Sequence, residues 1–131
     1  MREIEFRGKR IDNGEWVYGD FIYSAKVGVF SEKHKIHTKQ GEYIMVKKGT
    51  IGQFTGYVDN AGERVYEGDI FKPTPTAKHT YPIGEVSFYK GGWVIKSTKG
   101  DVRNLYTTKG NVIGNIVNYP ELMEADSEVF S

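Results

Sequence analysis

Histidine is the side chain here that most readily binds metals and moves protons near neutral pH. His34 and His37 stand three residues apart, and His79 lies in a proline-rich stretch. On a β-strand that spacing puts the two rings on opposite faces, whereas on a helix they would share a face. No helix start signal precedes the pair, and a metal site needs the histidines to converge with a carboxylate. The pattern favours solvated histidines, and we expect no metal or other cofactor.

Two aspartates, Asp20 and Asp69, follow a glycine at equivalent positions of two related stretches. Facing carboxylates can act as general acid and base, so the pair allows a small hydrolase. An aspartate after a glycine at a strand start more often accepts backbone N–H bonds and fixes the turn. The chain contains neither a P-loop nor a Ser-His-Asp arrangement. We therefore expect no catalytic residues and no enzyme.

Lysines concentrate between residues 33 and 48, with one tyrosine among them. Small β-barrels bind single-stranded nucleic acid by combining basic charge with aromatic rings on which bases stack. Glu32 and Glu42 dilute the charge, and a lysine-rich stretch is more often a solvated face. Nucleic acid is therefore the alternative partner and not the favoured one. The candidate contacts are Lys33, Lys35, Lys39, Tyr43, Lys47 and Lys48.

Alternating aromatic residues favour association between subunits. A strand edge must be paired, covered or charged, and the stretches 93–95 and 112–117 carry few charged residues. These observations predict a symmetric homo-oligomer that buries on the order of 1,000 Å² or more per contact pair. The other interpretation is that the same aromatics fill the core. The candidate interaction surface consists of Trp16, Tyr18, Tyr66, Trp93 and Ile95.

A turn motif occurs twice. Residues 11–21 read Ile-Asp-Asn-Gly-Glu-Trp-Val-Tyr-Gly-Asp-Phe, and residues 58–70 repeat the pattern with one extra residue in the turn and one before Gly-Asp. Asn and Gly tolerate positive φ, so each copy predicts a turn that reverses an antiparallel pair. We expect positive φ at the turn glycine of each copy. The predicted structural turn residues are Asn13, Gly14, Asp20, Asn60, Gly62, Gly68 and Asp69.

Short runs of β-branched and aromatic residues between turn signals predict an all-β protein. We expect short strands near 27–30 and 42–47, separated by a polar stretch, and a hairpin around Lys90-Gly91-Gly92. The three prolines of 72–82 predict an exposed loop. Pro120–Ala125 is the only stretch with helical character.

These elements predict an antiparallel SH3-like barrel or roll with an N-terminal β extension and a short C-terminal helical turn. The expected organisation has three parts. They are an N-terminal β segment with the first turn copy (1–48), the barrel with the second copy (49–120), and the helical turn with a frayed tail (121–131).

Composition excludes several classes. Eighteen basic and 17 acidic residues give a formal charge of +1, so no global field attracts nucleic acid or an anionic membrane. The absence of cysteine excludes disulfides, thiolate nucleophiles and cysteine-based metal sites. No apolar run approaches the roughly 18 residues of a membrane span, and the N-terminus lacks a signal-peptide core. We expect a cytoplasmic protein with no membrane partner.

Several motifs occur in a fixed order along the chain. They are Arg7-Gly8-Lys9-Arg10 followed by Asn13-Gly14-Glu15-Trp16-Val17-Tyr18-Gly19-Asp20, then Ile51-Gly52-Gln53-Phe54-Thr55-Gly56, Tyr66-Glu67-Gly68-Asp69-Ile70, Val112-Ile113-Gly114-Asn115-Ile116 and Asn118-Tyr119-Pro120-Glu121-Leu122. This set, over residues 2–122, is similar to the YopX-like proteins of bacteriophages and prophages. One departure is Tyr57-Val58, where that family more often has a Leu-Lys pair.

The resemblance implies a mostly β protein with an SH3-like barrel, encoded by a phage or prophage and located in the bacterial host cell. It implies no activity, so it provides no catalytic residues. Together with the residue patterns it favours a non-enzymatic accessory protein that self-associates and meets an unidentified host or phage partner. The alternative is a nucleic-acid-binding barrel that uses residues 33–48, and the least favoured function is a hydrolase built on Asp20 and Asp69.

Overall fold

The computed structural model describes residues 3–124. The chain divides into two compact units, one through Phe54 and the other from Thr55 onward, where the sequence predicted a boundary at residue 48. All strand pairings between the described elements are antiparallel, which confirms the predicted all-β class. Within residues 3–124, no helix has the length and apolar character needed to cross a membrane.

The first unit is an antiparallel meander in which β4, β3, β2, β1 and β5 are successive neighbours. Gly52 and Gln53, the first two residues of β5, pair with β1. Strand β5 then continues into the second unit. The strands are β1 (Phe6–Lys9), β2 (Trp16–Ser24), β3 (Lys33–His37), β4 (Tyr43–Met45) and β5 (Gly52–Val58).

The end of β4 returns to the end of β1 and closes a small barrel. Val46 bridges Arg10, and the Lys47 N–H donates to the Lys9 carbonyl at 2.8 Å. Ile36 and Ile44 lie with Val46 among the buried residues of this unit. Gly8 faces Val46 so closely that a Cβ there would meet its side chain at 3.0 Å. Register and burial therefore define an inner face and an outer face for each strand.

Two predictions in this region were wrong. Residues 27–30 form a tight turn closed by a single bridge and not a strand, and the strand is β3, in the stretch expected to be merely polar. Asp20 does not fix a turn, because β2 runs without a break through Gly19 and Asp20. The β-favouring run that follows Asp20 pairs with β3, which keeps this part of the chain extended.

The second unit contains a five-stranded antiparallel sheet in the order β10-β9-β8-β7-β11 and a hairpin of β5 with β6. The order is compatible with the expected SH3-like roll. The predicted hairpin at residues 90–92 is confirmed, with positive φ at Lys90 and Gly91. The strands are β6 (Arg64–Tyr66), β7 (Asp69–Pro73), β8 (Gly84–Tyr89), β9 (Gly92–Lys96), β10 (Val102–Asn104) and β11 (Gly110–Asn115).

The core of the second unit is one cluster of buried side chains. A 3-10 turn, Leu105–Thr107, contributes Leu105 to it. Glu121–Glu124 form a helical turn, as predicted for the start of 121–131, and the rest of that segment lies outside the described residues. Residues 74–80 are exposed, as expected for most of the 72–82 loop. The core cluster consists of Val65, Phe71, Val86, Ile95 and Leu105.

The two turn copies confirm the predicted backbone but differ in their side chains. Gly14 and Gly62 have φ of 74° and 83°. In the first copy the Arg10 guanidinium donates to both carboxylate oxygens of the exposed Asp12, at 2.9 and 2.8 Å. In the second copy the equivalent residue, Asp59, is buried. The repeat therefore specifies a backbone reversal and not a common site.

Candidate functional site

Strand β3 separates two kinds of side chain by its alternation. His34 and Ile36 share the inner face, and Ile36 is fully buried. Lys33, Lys35 and His37 occupy the outer face. The two histidines therefore lie on opposite faces, as their spacing predicted for a strand.

Strand β4 extends the outer face beside β3. The register places Tyr43 opposite His37 and Met45 opposite Lys35. The rings of His37 and Tyr43 are stacked, with centroids 4.4 Å apart and planes 14° from parallel. Tyr43 is 62% exposed. The stack therefore holds a solvent-facing aromatic ring in a fixed orientation beside the strand lysines.

Strand β2 adds two aromatic residues to the same face. Asp20 pairs with His37, so the alternate residues Tyr18 and Trp16 also point outward. The Arg7 guanidinium carbon lies 4.7 Å from the centre of the Trp16 ring, a cation–π contact that holds the indole. Tyr18 is exposed. We call the following residues the outer face: Trp16, Tyr18, Lys33, Lys35, His37 and Tyr43.

The structure brings together only part of the predicted lysine cluster. Lys48 forms an ion pair of 3.0 Å with Glu32, which also accepts a hydrogen bond from the Tyr23 hydroxyl at 2.9 Å. The hydrogen bond from Lys48, followed by that from Tyr23, lowers the pKa of Glu32, and the same contact with Glu32 raises the pKa of Lys48. Lys39 lies in the β3–β4 connection and Lys47 follows β4. Lys33 and Lys35 are the members on a strand face.

The tip of the β2–β3 hairpin exposes three apolar side chains. Val27 and Phe30 exchange backbone hydrogen bonds of 3.0 and 2.9 Å around Gly28-Val29. Val27, Val29 and Phe30 are 68%, 95% and 67% exposed. Sequence reasoning missed this surface because it interpreted the residues as a strand. The signal was a glycine inside an apolar run, which marks a tight turn that cannot bury its neighbours.

The predicted interaction surface needs correction. Tyr66 and Ile95 are 4% and 2% exposed, and Ile95 belongs to the core cluster. Trp93 is half-buried against that cluster and packs edge-on against Phe88, with centroids 5.0 Å apart. Trp16 is also half-buried. Of the five predicted residues, Tyr18 is the most exposed, at 45%.

Neither of the two stretches predicted to be open strand edges offers a fully open edge. Strand β9 lies between β8 and β10, so it has no edge. Strand β11 is an edge of its sheet, but the second turn copy covers part of it. The Asn60 N–H donates to the Gly110 carbonyl at 2.9 Å, and the Val112 N–H donates to the Asp59 carboxylate at 3.0 Å. The turn residues therefore occupy backbone hydrogen-bonding groups that a second strand would need in order to pair with β11.

A recess lies in the second unit between β5 and the 3-10 turn. It encloses about 150 Å³, and Phe71 and Leu105 contribute buried side chains to its lining. Tyr57 and Tyr106 line it with exposed rings whose centroids are 6.4 Å apart, and Lys109 completes this part of the wall. A volume of this size holds about one aliphatic side chain. We call this feature the tyrosine recess.

The two aspartates of the predicted pair lie in different surroundings. Asp20 lies on β2 in the first unit, and Asp69 begins β7 in the second. Asp69 is buried and accepts the Tyr66 N–H at 2.7 Å, which is the turn role expected of it. Gly68 precedes it with a φ of 91°. Among residues 3–124, no three His, Asp or Glu side chains gather closely enough to hold a metal ion.

A solved structure, that of protein EF1440 from Enterococcus faecalis, is similar with a TM-score of 0.55 and 21% identity. The likeness covers 94% of this chain and 99% of that one, and at this identity it shows the fold alone. The comparison with curated proteins gave no match. Residues 5–124 match the model of the YopX protein family, and the chain therefore belongs to the YopX family.

Proposed function

We propose that this protein is a non-enzymatic accessory protein of a phage or prophage, acting in the host cytoplasm as a self-associating interaction module. The observation that supports it best is the exposed hairpin tip of Val27, Val29 and Phe30. Water-exposed apolar side chains clustered on a tight turn are typical of contact sites. Membership of the YopX family supports the phage origin.

The partner in this proposal is a second copy of the chain. The tyrosine recess has room for one side chain of about the size of those on the tip. A tip from one copy would insert into the recess of another. Such a contact joins two different surfaces, so it forms rings or chains unless it is reciprocal.

Two observations support the absence of catalysis. The Asp69 carboxylate is buried and accepts the Tyr66 backbone N–H, so it already has a structural role. The half-buried histidine His37 is stacked on Tyr43 on the outer face. None of these groups faces the tyrosine recess, whose lining contains one acidic residue, Asp59, with its carboxylate hydrogen-bonded to backbone N–H groups.

Light scattering on size-exclusion peaks tests the proposal with two variants. The tip variant carries Val29→Ser and Phe30→Ser, and the recess variant carries Tyr106→Ala. We expect the wild-type protein to exceed monomer mass in a concentration-dependent way and each variant alone to be monomeric. An equimolar mixture of the two variants should give a heterodimer, because the recess variant keeps an intact tip and the tip variant keeps an intact recess.

The matched control is Tyr89→Ser, which removes another exposed tyrosine of the second unit and should leave assembly intact. A wild-type monomer at 100 µM or so would overturn self-association. If the tip variant is monomeric while the recess variant still assembles, the contact is tip to tip and the recess is not the acceptor.

A further inference from the structure

We propose that the outer face of the first unit binds single-stranded nucleic acid. The proposal goes beyond self-association, since it concerns strand faces and not the hairpin tip. It rests on the outward-facing side chains of three neighbouring strands, which place aromatic rings and cations together.

The aromatic residues form two separate platforms. Tyr43, stacked on His37, is the first, and Tyr18, beside Trp16, is the second. Tyr43 on β4 is separated from Tyr18 on β2 by two strand spacings and by two residues along the strand direction. The two residues are therefore about 12 Å apart. Bases stack on exposed rings without regard to sequence, since each base has a π-face. Two bases of one extended strand can therefore occupy the two platforms.

Cations lie beside these platforms. Lys33 and Lys35 alternate on the outer face of β3, and neither forms an ion pair with any acidic side chain in residues 3–124. Asp20 is the acidic residue that the register places among them. Phosphate oxygens would find unpaired ammonium groups here, whereas Lys48 is engaged by Glu32.

The charges of residues outside the outer face also favour the binding of a polyanion to the first unit. The first unit has an excess of three basic residues, with ten against seven, and the second has an excess of two acidic ones, with ten against eight. An approaching polyanion is therefore attracted to the first unit although the whole chain is nearly neutral. The global charge of +1 hides this asymmetry.

The face fits a single strand better than a duplex. Rings can stack on bases only where the bases are unstacked and accessible. Lys33 and Lys35 could contact the phosphates of a duplex, but Tyr43 could not stack on its paired bases. Preference for a single strand is thus the property that separates this site from a general basic surface.

Fluorescence anisotropy with a labelled 20-residue oligothymidylate at low salt tests the proposal. We expect saturable binding that weakens as salt rises, and weaker binding of the matching duplex. The variant Lys33→Gln with Lys35→Gln should bind more weakly. The slope of the logarithm of the binding constant against the logarithm of the salt concentration should become less negative by about 1.4, or about 0.7 for each lost phosphate contact.

Tyr43→Ala should weaken binding by roughly 5- to 100-fold without changing the salt slope, because stacking releases no counterions, and Tyr43→Phe should retain binding. The control variant, Lys72→Gln with Lys78→Gln, removes two exposed lysines of the second unit and should leave binding unchanged. All four substituted proteins should keep the wild-type melting temperature, since the altered side chains are solvent-facing.

Three results would overturn the proposal. They are no binding by the wild-type protein at 50 µM or so and low salt, equal affinity for duplex and single strand, and an equal loss in the two lysine variants. The measurement is repeated with the tip variant, and retained binding there shows that the face works without self-association.

Discussion

At the residue scale, Asp59 shows how one position of a repeated motif acquires a structural role that its counterpart lacks. Its carboxylate accepts the N–H groups of Ala61 and Glu63 at 2.9 Å and that of Val112 at 3.0 Å. Burial by itself raises the pKa of Asp59, but these donors, led by Val112, together lower it below the usual 3.8. The ionised carboxylate thus ties the second turn to β11.

Asp59→Asn should destabilise the protein by about 2–3 kcal/mol at pH 7, because an amide NH2 group replaces one of the two carboxylate oxygens and leaves at least one buried N–H without its acceptor. The native pKa is the lower one, so the stability that Asp59 contributes is present above pH 4 or so and is lost as pH falls through that pKa. Urea unfolding at several pH values should show the difference between wild type and variant shrinking below pH 4 or so.

Asp12→Asn is the matched control, since Asp12 occupies the same place in the first turn copy but is exposed and pairs with Arg10. Exposed ion pairs contribute little, and we expect a small change in stability. A difference between wild type and Asp59→Asn that is the same at pH 7 and pH 3 would show that the carboxylate charge is not what matters.

At the scale of elements, the pairing of β2 with β3 shapes both candidate surfaces. The hairpin carries the apolar tip at its turn and places the lysines of β3 on the outer face. Gly19 permits this pairing, because a Cβ at that position would overlap the carbonyl oxygen of His37. The close approach of two backbones thus explains why β2 contains a glycine inside a strand.

Gly19→Ala should displace β3 and cost about 1–3 kcal/mol, the range for forcing an extra methyl group into a packed site. Hydrogen exchange should show lost protection at His37 and Thr38 before other parts of the unit. Gly92→Ala is the control, since a Cβ added at this position of β9 would meet nothing within 4 Å. Equal stability of the two variants would mean that β3 approaches β2 less closely than described.

At the scale of the whole molecule, the chain consists of two compact units with opposite charge excess. Each unit has buried residues of its own, represented by Ile36 in the first and Phe71 in the second. Regions that are stabilised by separate sets of contacts can unfold separately, each with its own free energy of unfolding. The division therefore has a consequence for stability as well as for the placement of the candidate surfaces.

Gly110→Ala should weaken the second unit first. Its Cβ would overlap the carbonyl oxygen of Lys72 and lie 2.6 Å from the Phe71 ring. Hydrogen exchange followed by mass spectrometry should show faster exchange in the strands of residues 64–115 at a denaturant concentration where β2 and β3 stay protected. Simultaneous loss of protection in both units would show that they unfold as one cooperative body.

Features set by local chemistry could be predicted from the sequence. The all-β class follows from β-branched and aromatic runs. The positive φ of Gly14 and Gly62 follows because these turns require a left-handed backbone conformation, which glycine adopts readily. The hairpin at residues 90–92 follows from its turn residues in the same way. The turn role of Asp69 was also expected. In each case the residue and its nearest neighbours contain the determining interaction.

The tertiary structure alone decided which side of each strand faces water. Alternation predicts two faces but not which one is covered, so Ile95 was assigned to a surface and is in the core. Strand β3 has one apolar residue inside, Ile36, and its assignment depends on pairing with β2 and β4. The contrast between Asp12 and Asp59 depends on β11, 53 residues away from Asp59. Long-range register is not contained in a local pattern, and it creates both candidate surfaces of this protein.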